Sequence, residues 1–172
     1  MHRNGSTRLR HYDYGRNGFY FVTICTKPRS DDFGKIINGE MKYTDLGYAA
    51  IKCWQKITKH FPFVMLDEFV IMSDHVHGII IINKINDVRV GAHNYARLRV
   101  REPSFSGNKF GPQSQNLGSI IRSYKIAVKQ YANQHNVPFA WQPRYYDRII
   151  RNERELNNVR RYIRNNPWMW HN

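Results

Sequence analysis

One stretch limits what the rest of the chain can become: Asp74-His75-Val76-His77-Gly78 running into Ile79-Ile80-Ile81-Ile82. Beyond the histidines the run is apolar at every position instead of alternating, the pattern of a strand covered on both faces. Such a strand needs neighbours on both edges and packed layers above and below, so the remaining sequence must supply a sheet and the helices that clothe it. In an extended conformation His75 and His77 project from one face, about 7 Å apart. Two imidazoles so placed suit a divalent ion, provided a third ligand and open positions come from elsewhere.

The neighbours are readable from composition and spacing. Phe19 to Thr26 is β-branched and aromatic and predicts a first strand. Asn38-Gly39 between Gly34-Lys35-Ile36-Ile37 and Glu40-Met41-Lys42-Tyr43 predicts an inserted two-residue hairpin, because both turn positions require positive φ. Thr44 is placed to cap a helix running to about His60, with Leu46, Ala49, Ala50, Cys53, Trp54 and Ile57 on its buried side. Val64 to Met72 and His75 to Ile82 predict a second and third strand joined by a tight antiparallel link. A helix from Asn116 follows, with Arg122, Lys125 and Lys129 off its apolar stripe, as solvated charge or as contacts to a DNA backbone. Phe139 to Ile150 predicts a fourth strand, at an edge or distorted near Pro143. A last helix starts near Asn152, with Asn152 and Glu155 at capping-box spacing, and Pro167 should end it. This order predicts a ferredoxin-like α+β fold: an antiparallel sheet with helices packed on it and one additional C-terminal helix.

The 172 residues suffice for a single domain with a sizeable core. A formal net charge of +14 argues for a polyanionic partner, nucleic acid ahead of an anionic membrane surface. No apolar run is long enough to span a bilayer, and Met1-His2-Arg3-Asn4 does not begin a signal peptide, so a cytoplasmic protein without membrane attachment is expected. Cys25 and Cys53 read as reduced, small buried hydrophobes. Residues 1–16 read as a basic arm in which Tyr12 and Tyr14 interleave with Arg8, Arg10 and other bases, suited to nucleic-acid contact or to disorder alike. Residues 84–115, rich in Gly, Pro and Arg, read as one long loop.

The last helix offers what the histidine pair lacks. Tyr162 and Asn166 are four residues apart and so share one flank, bordering the stripe of Leu156, Val159 and Ile163. A tyrosine can act as nucleophile and an asparagine amide as oxygen ligand, but at this spacing alone the pair reads equally as packing and C-cap residues; it is their later position in the chain relative to His75-Val76-His77 that forms a distinctive combination. That combination resembles the single-tyrosine His-hydrophobic-His (HUH) transposases. Tyr162-Ile163-Arg164-Asn165-Asn166-Pro167 is similar to the nucleophile helix of their REP-associated tyrosine transposase branch, in which Asn stands four residues after Tyr where insertion-sequence relatives carry Gln. Tyr12-Asp13-Tyr14, Tyr20 to Thr26, Leu117 to Arg122 and Ile149 to Glu153 also resemble that branch, so the likeness covers most of the chain. One departure is Ser73, where proline is common in relatives.

The resemblance implies metal-dependent cleavage and strand transfer of single-stranded DNA, on a hairpin substrate. It implies His75, His77 and Asn166 as ligands of Mg²⁺ or Mn²⁺, and Tyr162 as the nucleophile that forms a 5′-phosphotyrosine and frees a 3′-OH. A free tyrosine titrates near 10, so some activating group is required, which the sequence does not name. Arg8, Arg10, Arg144, Arg148 and Arg151 are the candidate DNA contacts. Monomer and homodimer are both compatible with the resemblance. A reading of a different class is a non-catalytic nucleic-acid module on the same sheet, although the aromatic strand signature of RNA-recognition domains is absent.

Overall fold

The computed structural model describes residues 12–84 and 114–169, with side chains to Asn166. Strand β5 (His75–Ile82) is buried along its whole length because it is paired on both edges and covered on both faces. β4 (Val64–Ile71) and β1 (Gly18–Cys25) flank it, and β6 (Tyr146–Ile150) pairs with the far side of β1, giving the antiparallel order β4-β5-β1-β6. Together with the helices below, this is the expected ferredoxin-like α+β arrangement.

Strand alternation divides the sheet's residues between two layers. Tyr20, Val22, Ile24, Val76, Ile80 and Ile82 form one face, packed under α1 (Asp45–Gln55) and α3 (Leu117–Gln134). Phe19, Ile79, Ile81 and Ile150 form the other, covered by Leu156 and Ile163 of α4 (Glu153–Met169). Gly78 belongs to the first face, where a Cβ would stand 2.2 Å from Cζ2 of the fully buried Trp54. The glycine therefore lets the α1 indole lie directly against the strand that carries the histidines.

Local signals account for most boundaries. Thr44 Oγ1 accepts the Gly47 amide and caps α1; Asn116 caps α3, exchanging hydrogen bonds with Ser119. The expected single helix to His60 is two pieces, α1 and α2 (Ile57–His60), because Lys56 sits near the bridge region at φ −76°, ψ −9°. Asn38 and Gly39 have φ of 53° and 76° and close the hairpin of β2 (Gly34–Ile37) and β3 (Glu40–Tyr43) as expected.

Four readings need correction. The fourth strand is only β6; residues 139–145 are irregular apart from one bridge between Thr26 and Trp141. Pro143 lacks an amide donor, and Lys125 takes the Gln142 and Arg144 carbonyls while Lys129 takes that of Phe139. Those two lysines therefore pin a backbone segment and are not simply solvated charge. Tyr12 and Tyr14 are in edge contact, and Tyr14 is buried beside Tyr20, whose hydroxyl donates to the Arg16 carbonyl; they serve the core and not a free arm. Finally, Pro167 does not stop α4, which runs to Met169; proline's fixed φ fits helical backbone, and the lost amide bond and the crowding of its ring fall in the last turn. The rest of the arm and residues 85–113 lie outside the described residues. No helix among the described residues is long and apolar enough to cross a membrane.

Candidate active site

His75 and His77 emerge from β5 on the α4 side, in register with Cys25 and Thr23 of β1. Each ring is held at Nδ1. The Asp74 carboxylate lies 2.6 Å from His75 Nδ1, and Thr23 Oγ1 lies 2.8 Å from His77 Nδ1. Asp74 is itself held through its other oxygen by Arg29 Nε at 2.5 Å. With Nδ1 of each ring engaged, the two Nε2 atoms converge to 3.1 Å. A carboxylate accepts only a proton on His75 Nδ1, which leaves His75 Nε2 as a bare lone pair aimed at its neighbour.

Electrostatics favour the neutral rings. Burial is the main cause in both: it lowers the His75 pKa against the opposing pull of Asp74, and drives His77 down to about 3, with His75 and Arg29 adding to the effect. Burial alone would raise Asp74, but Arg29 and His75 hold it below the usual carboxylate range. Two imidazoles kept unprotonated with converging lone-pair positions have the chemistry of a divalent-metal cradle.

The helix above the pair is placed by an irregularity in β4. Register runs Leu66 opposite Ile80 and Phe69 opposite Gly78, so Asp67 and Glu68 share the space facing one residue of β5. This bulge lets two successive acids address α4, where Arg160 and Arg164 are one helical turn apart. Arg160 grips Asp67 through two hydrogen bonds, one of them 2.9 Å, and Arg164 Nε meets Glu68 at 2.9 Å. Burial would raise the Asp67 carboxyl, but the Arg160 guanidinium holds it below its ordinary value.

So held, α4 points Tyr162 at the histidines. Its hydroxyl is 3.2 Å from His77 Nε2, and its ring makes edge contacts with His77 and Phe21. Burial disfavours the protonated form of His77, so this bond orients the hydroxyl more than it prepares to take its proton. Asn166, one turn further along α4, is 4 % exposed and its Nδ2 makes no hydrogen bond. The structure thus brings Tyr162 directly onto the histidine pair and buries Asn166 on the same helix. Among the described residues no three His, Cys, Asp or Glu side chains gather.

The candidate arginines are more scattered. Arg148 pairs with Glu155 at 2.6 Å, while Glu155 also accepts the Arg151 amide and its own amide donates to Asn152. The Arg144 carbonyl accepts from Lys125, as above. Arg8 and Arg10 lie outside the described residues. Sequence reasoning had passed over Thr23, Arg29, Asp67 and Glu68 as site residues. Only the adjacent acids and the i, i+4 arginines left a visible signal; the partnerships of Thr23 and Arg29 depend on strand register and on the path of a loop.

No family model matches the chain. An uncharacterized protein of Haemophilus influenzae is 42% identical over 171 residues, which span 99% of this chain and 91% of that relative. The two belong to one family. A second protein of that organism, named "Putative REP-associated tyrosine transposase", is 23% identical over 90% of this chain and 73% of its own length. A solved structure of a REP-associated tyrosine transposase bound to a REP hairpin superposes with a TM-score of 0.57 at 19% identity, covering 95% of this chain and 74% of that one. The chain is therefore similar in sequence to that named transposase and in fold to that solved one. The likeness to the solved structure is one of fold, and it extends over nearly the whole chain.

Proposed function

We propose that the protein cleaves and rejoins single-stranded DNA next to a hairpin, through a covalent bond between Tyr162 and a 5′-phosphate. The observation that carries this reading is the contact of the Tyr162 hydroxyl with His77 Nε2 at 3.2 Å, beside His75 Nε2. The REP hairpin held by the solved relative supports a hairpin substrate. His75, His77 and Asn166 would hold Mg²⁺ or Mn²⁺, which fits two converging neutral imidazoles and the carboxamide oxygen of a buried asparagine. The bound metal would polarise the scissile phosphate and stabilise the leaving oxygen.

The chain's own residues would do the following. Asp74 and Thr23 fix the two imidazole rings, Arg29 fixes Asp74, and the Arg160–Asp67 pair sets the height of α4 over β5. Tyr162 oxygen forms a bond to phosphorus as the bond from phosphorus to the 3′ oxygen breaks; the phenol proton passes to solvent, and the departing 3′ oxygen takes a proton from solvent. The product is a 5′-phosphotyrosine and a free 3′-OH. Because this ester retains the bond energy, a 3′-OH can attack it and rejoin strands without a nucleotide cofactor. The arrangement within one chain allows Tyr162 to act on its own histidines, as a monomer or within a homodimer.

The test is an oligonucleotide hairpin with a labelled single-stranded flank, incubated with protein and Mn²⁺ and resolved under denaturing conditions. The expected result is a protein–DNA adduct that Tyr162→Phe and His75→Ala both abolish. An undiminished adduct in Tyr162→Phe sinks the nucleophile assignment. Binding without cleavage by the unaltered protein would favour a non-catalytic DNA-binding module.

A further inference from the structure

The two edges of the sheet differ in charge. On the β4 edge the bulge presents Asp67 and Glu68, both committed to arginines of α4. On the β6 edge stand Tyr146, 64 % exposed, and Arg148, with Arg144 two residues before and Arg151 just beyond. The β4 acids are neutralised by their arginines and Arg148 by Glu155, so the basic excess on the β6 side is that of Arg144 and Arg151, which favours an anionic strand reaching Tyr162 along this edge.

Tyr146 is connected to the site by register. Val70, His77, Thr23 and Tyr146 form one row across the four strands, each directly opposite the next. Directly paired residues of antiparallel strands point to the same face, and Ile150, on that face of β6, packs with α4. Tyr146 therefore stands on the face that carries His75, His77 and Tyr162. It is one strand beyond Thr23, which is bonded to His77, or about 10 Å from that histidine at two strand spacings. The next position outward on β6, Arg148, is opposite Phe21, whose ring touches Tyr162. The open shelf beside the phenol thus offers an aromatic ring and a guanidinium on neighbouring same-face positions.

We propose that Tyr146 is the stacking platform for an unpaired base of the DNA strand that runs into Tyr162, with Arg148 beside it for a phosphate. This deepens the function proposed above and rests on it for the identity of the ligand. Every base has a π-face, so a ring at this point holds the strand in place without reading sequence, and the guanidinium holds the backbone. An exposed ring at the free edge of a sheet has no comparable role in packing the core.

The experiment measures fluorescence anisotropy of the full chain, with Tyr146→Ala and Tyr146→Trp alongside, against a hairpin oligonucleotide bearing a single-stranded thymidine flank. Matched oligonucleotides carry an abasic site at each flank position in turn. Tyr146→Ala is expected to weaken binding about five- to 150-fold, the range for losing one stacked base, while Tyr146→Trp keeps it. The alanine penalty should vanish at one abasic position, a coupling that general loss of fold would not produce. Unchanged binding by Tyr146→Ala, or an equal penalty at every abasic position, overturns the platform. Running the adduct assay on the unaltered protein separates the two readings. Adduct formed with no Tyr146 penalty removes only the platform; a position-specific penalty with no adduct upholds the platform and removes only the covalent chemistry.

Discussion

The two faces of β5 are built to different ends from alternating residues of one strand. Val76, Gly78, Ile80 and Ile82 look toward α1 and α3 and meet apolar side chains and the Trp54 indole. His75 and His77, one residue out of phase, look toward α4 and meet a carboxylate, a hydroxyl and a phenol. The first face is organised by volume, the second by directed polar bonds. Substitutions on the first should therefore lower stability and activity together, whereas those on the second should remove chemistry at little cost in fold.

The largest effect expected is from Trp54→Ala. Removing a fully buried indole that stacks on Phe69 and touches Tyr124 should cost about 3–5 kcal/mol, read as a shift in chemical-denaturation midpoint with adduct formation lost in parallel. Gly78→Ala comes next. Its methyl would collide with the same indole, and overpacking of this kind costs about 1–3 kcal/mol. Gly78 lies next to His77, so a variant of unchanged stability that lost only cleavage would break the division between faces at its tightest point.

How far these roles could be read beforehand differs between the faces too. The central position of β5 followed from an apolar run too regular to be half-exposed, and the hairpin and the α1 cap followed from Asn38-Gly39 and Thr44, both local signals. Residues 139–145 looked like strand because their aromatics are strand formers. What decides their path is the capture of carbonyls by Lys125 and Lys129, a tertiary fact no window of sequence contains. At the site, periodicity was enough to place His75 and His77 on one face and Tyr162 with Asn166 on one flank. The settings around them were not readable. Thr23 reaches His77 through register, Arg29 reaches Asp74 from a loop, and the tandem acids reach α4 only because a bulge puts both on one side.

That bulge supplies the third prediction. Asp67→Asn leaves Arg160 without its ion partner in a largely buried pair and should cost about 1–2 kcal/mol in global stability, because the amide oxygen still accepts one of the two hydrogen bonds. Its effect on adduct formation should be larger than its effect on stability, because Tyr162 lies half a turn beyond Arg160. The charge-swapped pair Asp67→Arg with Arg160→Asp should recover part of the lost rate. Absence of any rescue would mean that α4 is set by its apolar contacts through Leu156 and Ile163 and by the Arg164–Glu68 pair.

The smallest effect, and the one that probes the polar face without mutation, is the pH dependence of stability in metal-free buffer. Both histidines titrate below the ordinary value of about 6.5 when folded, His77 near 3. Above pH 6.5 both folded and unfolded chains hold these rings neutral, and they contribute no slope. As pH falls below 6.5 the unfolded chain takes up protons that the folded chain refuses, so stability declines until the folded rings also protonate, for His77 near pH 3. His77→Leu should flatten this decline between pH 6 and 4 while leaving the apolar face intact. The expected signature is a set of melting curves that diverge at pH 7 less than at pH 4.5, the variant falling less steeply. A variant as steep as the original protein would place the acid sensitivity elsewhere and would remove the case that His77 is kept neutral by its burial under α4.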